Sequence, residues 1–131
     1  MAEKEKSKIL IVDDDSFLLD MYALKFSQNN FEVHTASDGL QALEKLKAGL
    51  APEVILLDII MPNMDGFEML EKIKAENICP SATKVILSNK SEQKDVERGG
   101  SLGVSGYIVK ANSTPAEVIE QVTGILKKVK Q

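Results

Sequence analysis

Apolar residues in this chain are grouped in two ways. Short aliphatic runs at residues 8–12, 31–36, 53–57, 84–87 and 106–109 read as strands, and each is followed by apolar residues at helical spacing. Phe17, Leu18, Met21, Tyr22, Leu24 and Phe26 mark a first helix, ended by Gln28-Asn29-Asn30. Leu40, Leu43, Leu46 and Leu50 mark a second, capped by Ser37 or Asp38 and closed by Gly49 and Pro52. Pro62 and Gly66 punctuate a loop, after which Phe67, Leu70 and Ile73 form the inward stripe of a third helix. Residues 91–102 predict a fourth, short or mobile because Gly99 and Gly100 each cost about 1 kcal/mol against Ala in a helix. Thr114-Pro115-Ala116-Glu117 is a capping box with Pro at the first helical position. It opens a last helix on Val118, Ile119, Val122, Ile125, Leu126 and Val129, with Lys127, Lys128 and Lys130 where positive charge suits the helix dipole.

Strands that alternate with helices at this spacing form right-handed crossovers, so the pattern predicts an α/β, doubly wound five-stranded parallel sheet with helices on both faces. Ligands of such sheets bind at the carboxyl ends of the strands. The domain is expected over residues 8–127, with a frayed or disordered segment at 1–7 and a tail at 128–131.

The chemistry collects at those strand ends. Val54-Ile55-Leu56-Leu57-Asp58-Ile59-Ile60-Met61-Pro62 is an apolar run with one carboxylate set into it. An ionised Asp inside dry protein costs several kcal/mol or becomes neutral, so Asp58 belongs at a wet rim or beside a cation. Taken alone, it is as well explained as a chance cap on the next turn. The first strand, however, ends on Asp13, Asp14 and Asp15, the fourth on Ser88 and the fifth on Lys110. A parallel sheet brings all of these to one rim. Clustered carboxylates repel unless a cation sits among them, and hard oxygen ligands suit Mg²⁺. A hydroxyl and an ammonium opposite could hold the other oxygens of a phosphoryl group, with the middle carboxylate as nucleophile.

Bulk properties narrow the field. The 131 residues suit one domain. A net charge of −4 gives no sign of direct nucleic-acid or membrane binding. The lone Cys79 excludes an internal disulfide, and no run approaches a membrane span. Residues 1–8 lack the apolar stretch of a secretory signal, so a cytoplasmic location is expected.

Four segments, Ile-Leu-Ile-Val-Asp-Asp-Asp at 9–15, Leu-Leu-Asp-Ile-Ile-Met-Pro-Asn-Met-Asp-Gly at 56–66, Val-Ile-Leu-Ser at 85–88 and Gly-Tyr-Ile-Val-Lys at 106–110, occur in that order. Together they resemble the receiver domain of two-component response regulators, of the chemotaxis-regulator type. The resemblance implies a flavodoxin-like sheet of strand order 2-1-3-4-5. It makes Asp58 the phosphoacceptor. Asp14 becomes the direct ligand of Mg²⁺ (or Mn²⁺), with Asp13 acting through water and the backbone carbonyl of Ile60 as a further ligand. Ser88 is the hydroxyl that moves to the phosphoryl group, Lys110 its cationic partner, and Tyr107 the aromatic that swings inward. The implied donor is a sensor histidine kinase or a phosphotransfer protein. The output is an unidentified protein target, and the chain is a monomer or weak homodimer. Such a receiver is not an enzyme acting on others; it catalyses only its own phosphorylation and dephosphorylation.

Some residues depart from that pattern. Ala111 follows Lys110 where the family usually has Pro after a cis peptide, so the bond is either trans with a rearranged loop or strained. Asn112 and Ser113 replace the usual aromatic, which with Gly99-Gly100 puts the usual dimer surface of the fourth helix, fifth strand and fifth helix in question. Ile60 and Lys90 could obstruct the attacking water, which predicts slow autodephosphorylation. Two rivals stand beside this reading. Asp13-x-Asp15 resembles the opening motif of Asp-nucleophile phosphatases, although a later acidic pair is lacking. A docking-only pseudo-receiver is the other, opposed by the full acidic set. With no effector segment after residue 131, the expectation is a stand-alone receiver or a fragment of a longer regulator. Met21, Met61, Met64 and Met69, His34 and Cys79 read as packing or strand residues.

Overall fold

In a computed structural model, which describes residues 6–130, β-branched and aliphatic residues dominate the strands β1 (Ser7–Val12), β2 (Phe31–Ala36), β3 (Val54–Leu57), β4 (Thr83–Ser88) and β5 (Gly106–Val109). They form one sheet of order β2-β1-β3-β4-β5 in which every pairing is parallel. The helices α1 (Ser16–Ser27), α2 (Gly39–Lys47), α3 (Gly66–Ala75), α4 (Gln93–Ser101) and α5 (Pro115–Val129) fill the crossovers. The strand alternation splits the core in two. Leu10, Val12, Ile55 and Leu57 pack with Leu43 and Leu46 of α2 and Phe67 and Leu70 of α3. Ile9, Ile11, Val54 and Leu56 pack with Leu19, Tyr22 and Phe26 of α1 and Val118, Val122 and Leu126 of α5. The central strands are thus apolar on both faces, as a sheet covered by helices on both sides requires.

Several boundaries differ from the sequence expectations. Ser7 already pairs with Phe31, so the strand begins inside the segment expected to fray; the rest of that expectation, at residues 1–5, lies outside the described residues. Helix α5 runs through Lys128 to Val129, into the expected tail, and residue 131 is likewise outside the described residues. On α1 the inward face is Leu19, Tyr22 and Phe26, while Phe17 and Leu24 are 76% and 58% exposed. This helix is apolar on more than one side, so spacing alone did not select the buried stripe. Asp38, not Ser37, caps α2, accepting from the Gln41 N–H. Gly66 is the first residue of α3, behind a capping box of Asp65 and Glu68. No helix among the described residues is long and apolar enough to cross a membrane.

Helix α4 is short, and its two glycines have different reasons. A Cβ on Gly99 would lie 2.9 Å from Ile86 Cδ1 and 3.2 Å from Val104 Cγ2, so the missing side chain lets α4 sit against the sheet. Gly100 faces open space. The Arg98 guanidinium stacks over the Phe67 ring at 4.5 Å and bonds Glu71, tying α4 to α3.

This difference predicts opposite responses to one methyl group. Gly100→Ala should raise stability by up to about 1 kcal/mol through helix propensity. Gly99→Ala should lose that gain, and more, to overpacking against the buried Ile86. Chemical denaturation of the two variants measures the difference; a Gly99→Ala protein as stable as Gly100→Ala would show that α4 does not need the close approach.

Candidate functional site

The pocket is built by continuing the sheet one residue past its strands. The Asp13 N–H donates to the Ala36 carbonyl at 3.1 Å, and the Asp58 N–H to the Val12 carbonyl at 2.9 Å. Both acids are therefore placed by backbone bonds between neighbouring strands. Ser88 is the last residue of β4, in register with Val109, so Lys110 emerges beside it. The expected rim residues Asp13, Asp14, Asp58, Ser88 and Lys110 come from four elements and meet at one edge.

Lys110 is the electrostatic centre. Its Nζ lies 2.6 Å from Asp13 Oδ2 and 2.7 Å from Asp58 Oδ2, and all three side chains are largely buried. The other oxygen of each acid takes a backbone donor: Asp13 Oδ1 accepts from the Asp15 N–H at 2.9 Å, and Asp58 Oδ1 from the Ile59 N–H at 2.6 Å. Asp14 is exposed, yet Asp13, Asp14 and Asp58 each offer an oxygen within 4.8 Å of the others. Burial pushes the Asp13 carboxyl up from its ordinary value, and the bond from Lys110 only partly offsets it. Burial pulls the Lys110 ammonium down, but the bonds to Asp13 and Asp58 outweigh it and the net direction is up. The ammonium therefore stays charged. Together the two buried acids and Lys110 carry one negative charge when all are ionised, and Asp14 adds another at the mouth.

The remaining expected residues surround this centre. Ser88 is 1% exposed, and its Oγ accepts from the Lys90 N–H at 3.2 Å. The Tyr107 hydroxyl donates to the Lys90 carbonyl. Burial, with the negative Asp95 and Asp58 nearby, pushes this phenol up to about 12, so it remains a donor. Ile60 turns its side chain outward, 64% exposed, at the rim. Lys90 is paired with α4: its Nζ lies 3.2 Å from Asp95 Oδ1. The peptide after Lys110 is trans, since the described residues contain no cis bond, and residues Lys110–Asn112 form a 3-10 turn in place of a cis-proline loop. Asp15 caps α1, accepting from Phe17 and Leu18 N–H at 3.1 Å each.

Sequence reasoning marked Gly66 as loop punctuation but did not show what it and the other loop residues hold. Gly66 passes so close to the site strand that a Cβ would meet the Asp58 carbonyl oxygen at 2.3 Å, and its N–H donates to the Ile59 carbonyl at 2.8 Å. The Asp65-Gly66 pair after Pro62 was the available signal. Asn63, at φ 66°, donates its Nδ2 to Asp38 Oδ2 at 2.7 Å, joining the β3–α3 loop to α2. Asn89 and Asp95, which fasten the β4–α4 loop, gave no pattern at all.

A family model for the response regulator receiver domain matches residues 9–123. The alkaline phosphatase synthesis transcriptional regulatory protein PhoP of Bacillus subtilis is 32% identical over 121 residues, covering 92% of this chain and 49% of that protein. The DNA-binding response regulator MtrA of Mycobacterium tuberculosis is 31% identical over 123 residues, covering 94% of this chain and 52% of that protein. The chain thus spans about half the length of these curated relatives. Among solved structures, a CheY-like receiver domain protein from Methanospirillum hungatei superimposes with a TM-score of 0.86 at 26% identity, over 96% of this chain and 98% of that one. The chemotaxis response regulator CheY4 of Vibrio cholerae gives 0.82 at 26% identity, over 92% and 98%. With its five-stranded sheet in the order 2-1-3-4-5 and its acidic pocket at the strand ends, the chain belongs to the receiver domains of response regulators, the signalling modules of two-component phosphorelays.

Proposed function

We propose that this receiver is switched by transfer of a phosphoryl group to Asp58. The observation that carries the reading is the clamp on Asp58: one ammonium at 2.7 Å and two further carboxylates with oxygens within 4.8 Å. The donor is a phosphohistidine on a sensor histidine kinase or phosphotransfer protein. A carboxylate oxygen of Asp58 attacks phosphorus, the phosphorus–nitrogen bond breaks, and the electron pair leaves with the imidazole. The chain acts on no other substrate and works in the cytoplasm, as a monomer or weak homodimer.

The donor set fits a hard divalent cation, because the acids are oxygen ligands in charge excess over Lys110. Asp14, Asp58 and the Ile60 carbonyl would hold Mg²⁺ or Mn²⁺, with Asp13 acting through water. When bound, the ion would offset charge on the phosphoryl oxygens. Lys110, released from sharing two carboxylates, turns to a phosphoryl oxygen. Ser88 exchanges its bond from the Lys90 N–H for one to the phosphoryl group, and Tyr107 follows the movement of that loop. The output is carried by protein contact. Relatives are named as DNA-binding regulators, but a net charge of −4 gives this receiver no attraction for a phosphate backbone.

Incubation with acetyl phosphate and Mg²⁺ should add the mass of one phosphoryl group to the wild-type chain and none to Asp58→Asn. Sustained turnover of a phosphomonoester would instead favour a phosphatase, and equal labelling of the variant would move the nucleophile elsewhere.

The raised Asp13 carboxyl gives a pH-dependent test. Below its ordinary value of 3.8 the acid is neutral in both folded and unfolded chains. As pH rises through the higher native value, the unfolded chain gives up its proton first and stability falls; the deficit then persists to neutral pH. Asp13→Asn should therefore melt higher than wild type at pH 7 in EDTA, with the gap closing toward pH 3, and Mg²⁺ should stabilise the variant less. A variant less stable than wild type at pH 7 in EDTA would reverse the sign assigned to this burial.

Ile60 places an apolar side chain at the mouth where water must enter, while Lys90 is drawn away to Asp95. Hydrolysis of the phosphorylated chain should be slow, and Ile60→Asn should speed it severalfold. Loss of the label within seconds in Mg²⁺ buffer would count against a shielding role for Ile60.

A further inference from the structure

Ser88 and Lys110 leave the sheet side by side. The backbone ladder between β4 and β5 pairs Ser88 with Val109, and the next residues on each strand, Asn89 and Lys110, lie just past that ladder. There a side chain takes over from the backbone. Asn89 Oδ1 accepts the N–H of Ala111 at 2.8 Å, across 22 positions of sequence. A proline at 111 would have no N–H to give. Lys110 is therefore held twice: its ammonium by Asp13 and Asp58, and the peptide that follows it by Asn89. The same β4–α4 loop carries Lys90, whose N–H reaches Ser88 Oγ and whose carbonyl accepts from Tyr107.

Asn89 is exposed, and the hydrogen bond its side chain makes among the described residues is the one from the Ala111 N–H. The first turn after β5 is a 3-10 turn that begins at Lys110, so the direction in which the lysine stem leaves the backbone depends on how that turn is seated. One hydrogen bond from the neighbouring loop seats it.

We propose that Asn89 is a positioning residue that aims Lys110 into the pocket, through the Ala111 N–H. The bond also couples the loop that follows Ser88 to the loop that carries Lys110, so a shift of one is felt by the other. The proposal rests on the reading of Asp58 as phosphoacceptor. The plain alternative is a loop bond that adds a little stability and nothing to the chemistry.

The test is the rate at which the full chain is phosphorylated by acetyl phosphate with Mg²⁺, followed by intact mass. Asn89→Leu keeps the size and removes the acceptor; Ala111→Pro removes the donor. Each should slow phosphorylation on the order of threefold to tenfold, the effect of one net hydrogen bond on a rate. The double variant should be no slower than the slower single, because both delete the same bond. In a Lys110→Ala background Asn89→Leu should have no further effect, since no ammonium remains to be aimed. The melting temperature of Asn89→Leu should stay close to that of wild type. A wild-type rate in Asn89→Leu, or the same loss with and without Lys110, overturns the positioning role while leaving Asp58 as acceptor. A wild-type chain that takes up no phosphoryl group overturns the acceptor reading and this proposal with it.

Discussion

Two buried carboxylates share one ammonium, and the architecture follows from keeping that arrangement together. Asp13 and Asp58 sit at the ends of adjacent central strands, where a parallel sheet directs successive strand ends to the same edge. Their side chains would repel there if left alone. Lys110 follows β5, two strands from β3 and three from β1, and lies between the acids' oxygens at 2.6 and 2.7 Å. Removing the shared ammonium would leave two buried carboxylates with no counter-ion, a change that typically costs a few kcal/mol. The compensation is incomplete by one unit, and Asp14 at the mouth adds to the deficit. With its acids ionised this pocket is held below neutrality, a charge balance that suits a divalent cation.

The apolar body of the molecule fixes the acids without taking part in the chemistry. Ile9, Leu10, Ile11 and Val12 alternate between two cores, so β1 cannot slip by one residue without sending each side chain to the wrong face. The same holds for Val54 through Leu57 on β3. Register in the sheet is therefore set by burial, and the position of Asp13 against Asp58 follows from register. Helix caps add local stops: Asp15, Asp38, Asp65 and Thr114 each accept the first free N–H groups of a helix, so the chain leaves the rim at defined points.

That division explains what the amino-acid order disclosed. Strands buried on both faces leave runs that are hard to mistake, and a polar residue at the end of such a run is visible at once; Asp13, Asp58, Ser88 and Lys110 were legible for this reason. The stripe of α1 was not, because Phe17 and Leu24 are as apolar as the residues that turned inward, and only the sheet's position selects among them. Side-chain fastenings between loops were illegible as well. Asn89 with the Ala111 N–H, Asn63 with Asp38 and Lys90 with Asp95 are joined by groups whose meeting depends on the finished fold. The departure at Ala111 was visible, and a trans bond with a rearranged loop was one of the two outcomes it allowed, but the partner of the freed N–H was not. The trans peptide and 3-10 turn retain an N–H, and only the structure shows where that donor goes.

The two loops flanking the acids differ in how they are held. The β3–α3 loop is fixed by backbone: Gly66 packs where no side chain fits, and its N–H is bound to the Ile59 carbonyl. A shift there would drag Asp58 itself. The β4–α4 loop is held by partners that can be exchanged. The Ser88 hydroxyl accepts one N–H, the Tyr107 phenol donates to one carbonyl, and Lys90 reaches Asp95 through a flexible stem. Each of these bonds can be traded for another of similar strength at little net change in free energy. An anion placed beside Ser88 and Lys110 would compete for that hydroxyl and that ammonium before it disturbed the backbone bonds that place the acids. Around this pocket the acids are held by backbone bonds and by Lys110, while the β4–α4 loop is fastened by side-chain bonds that can be traded.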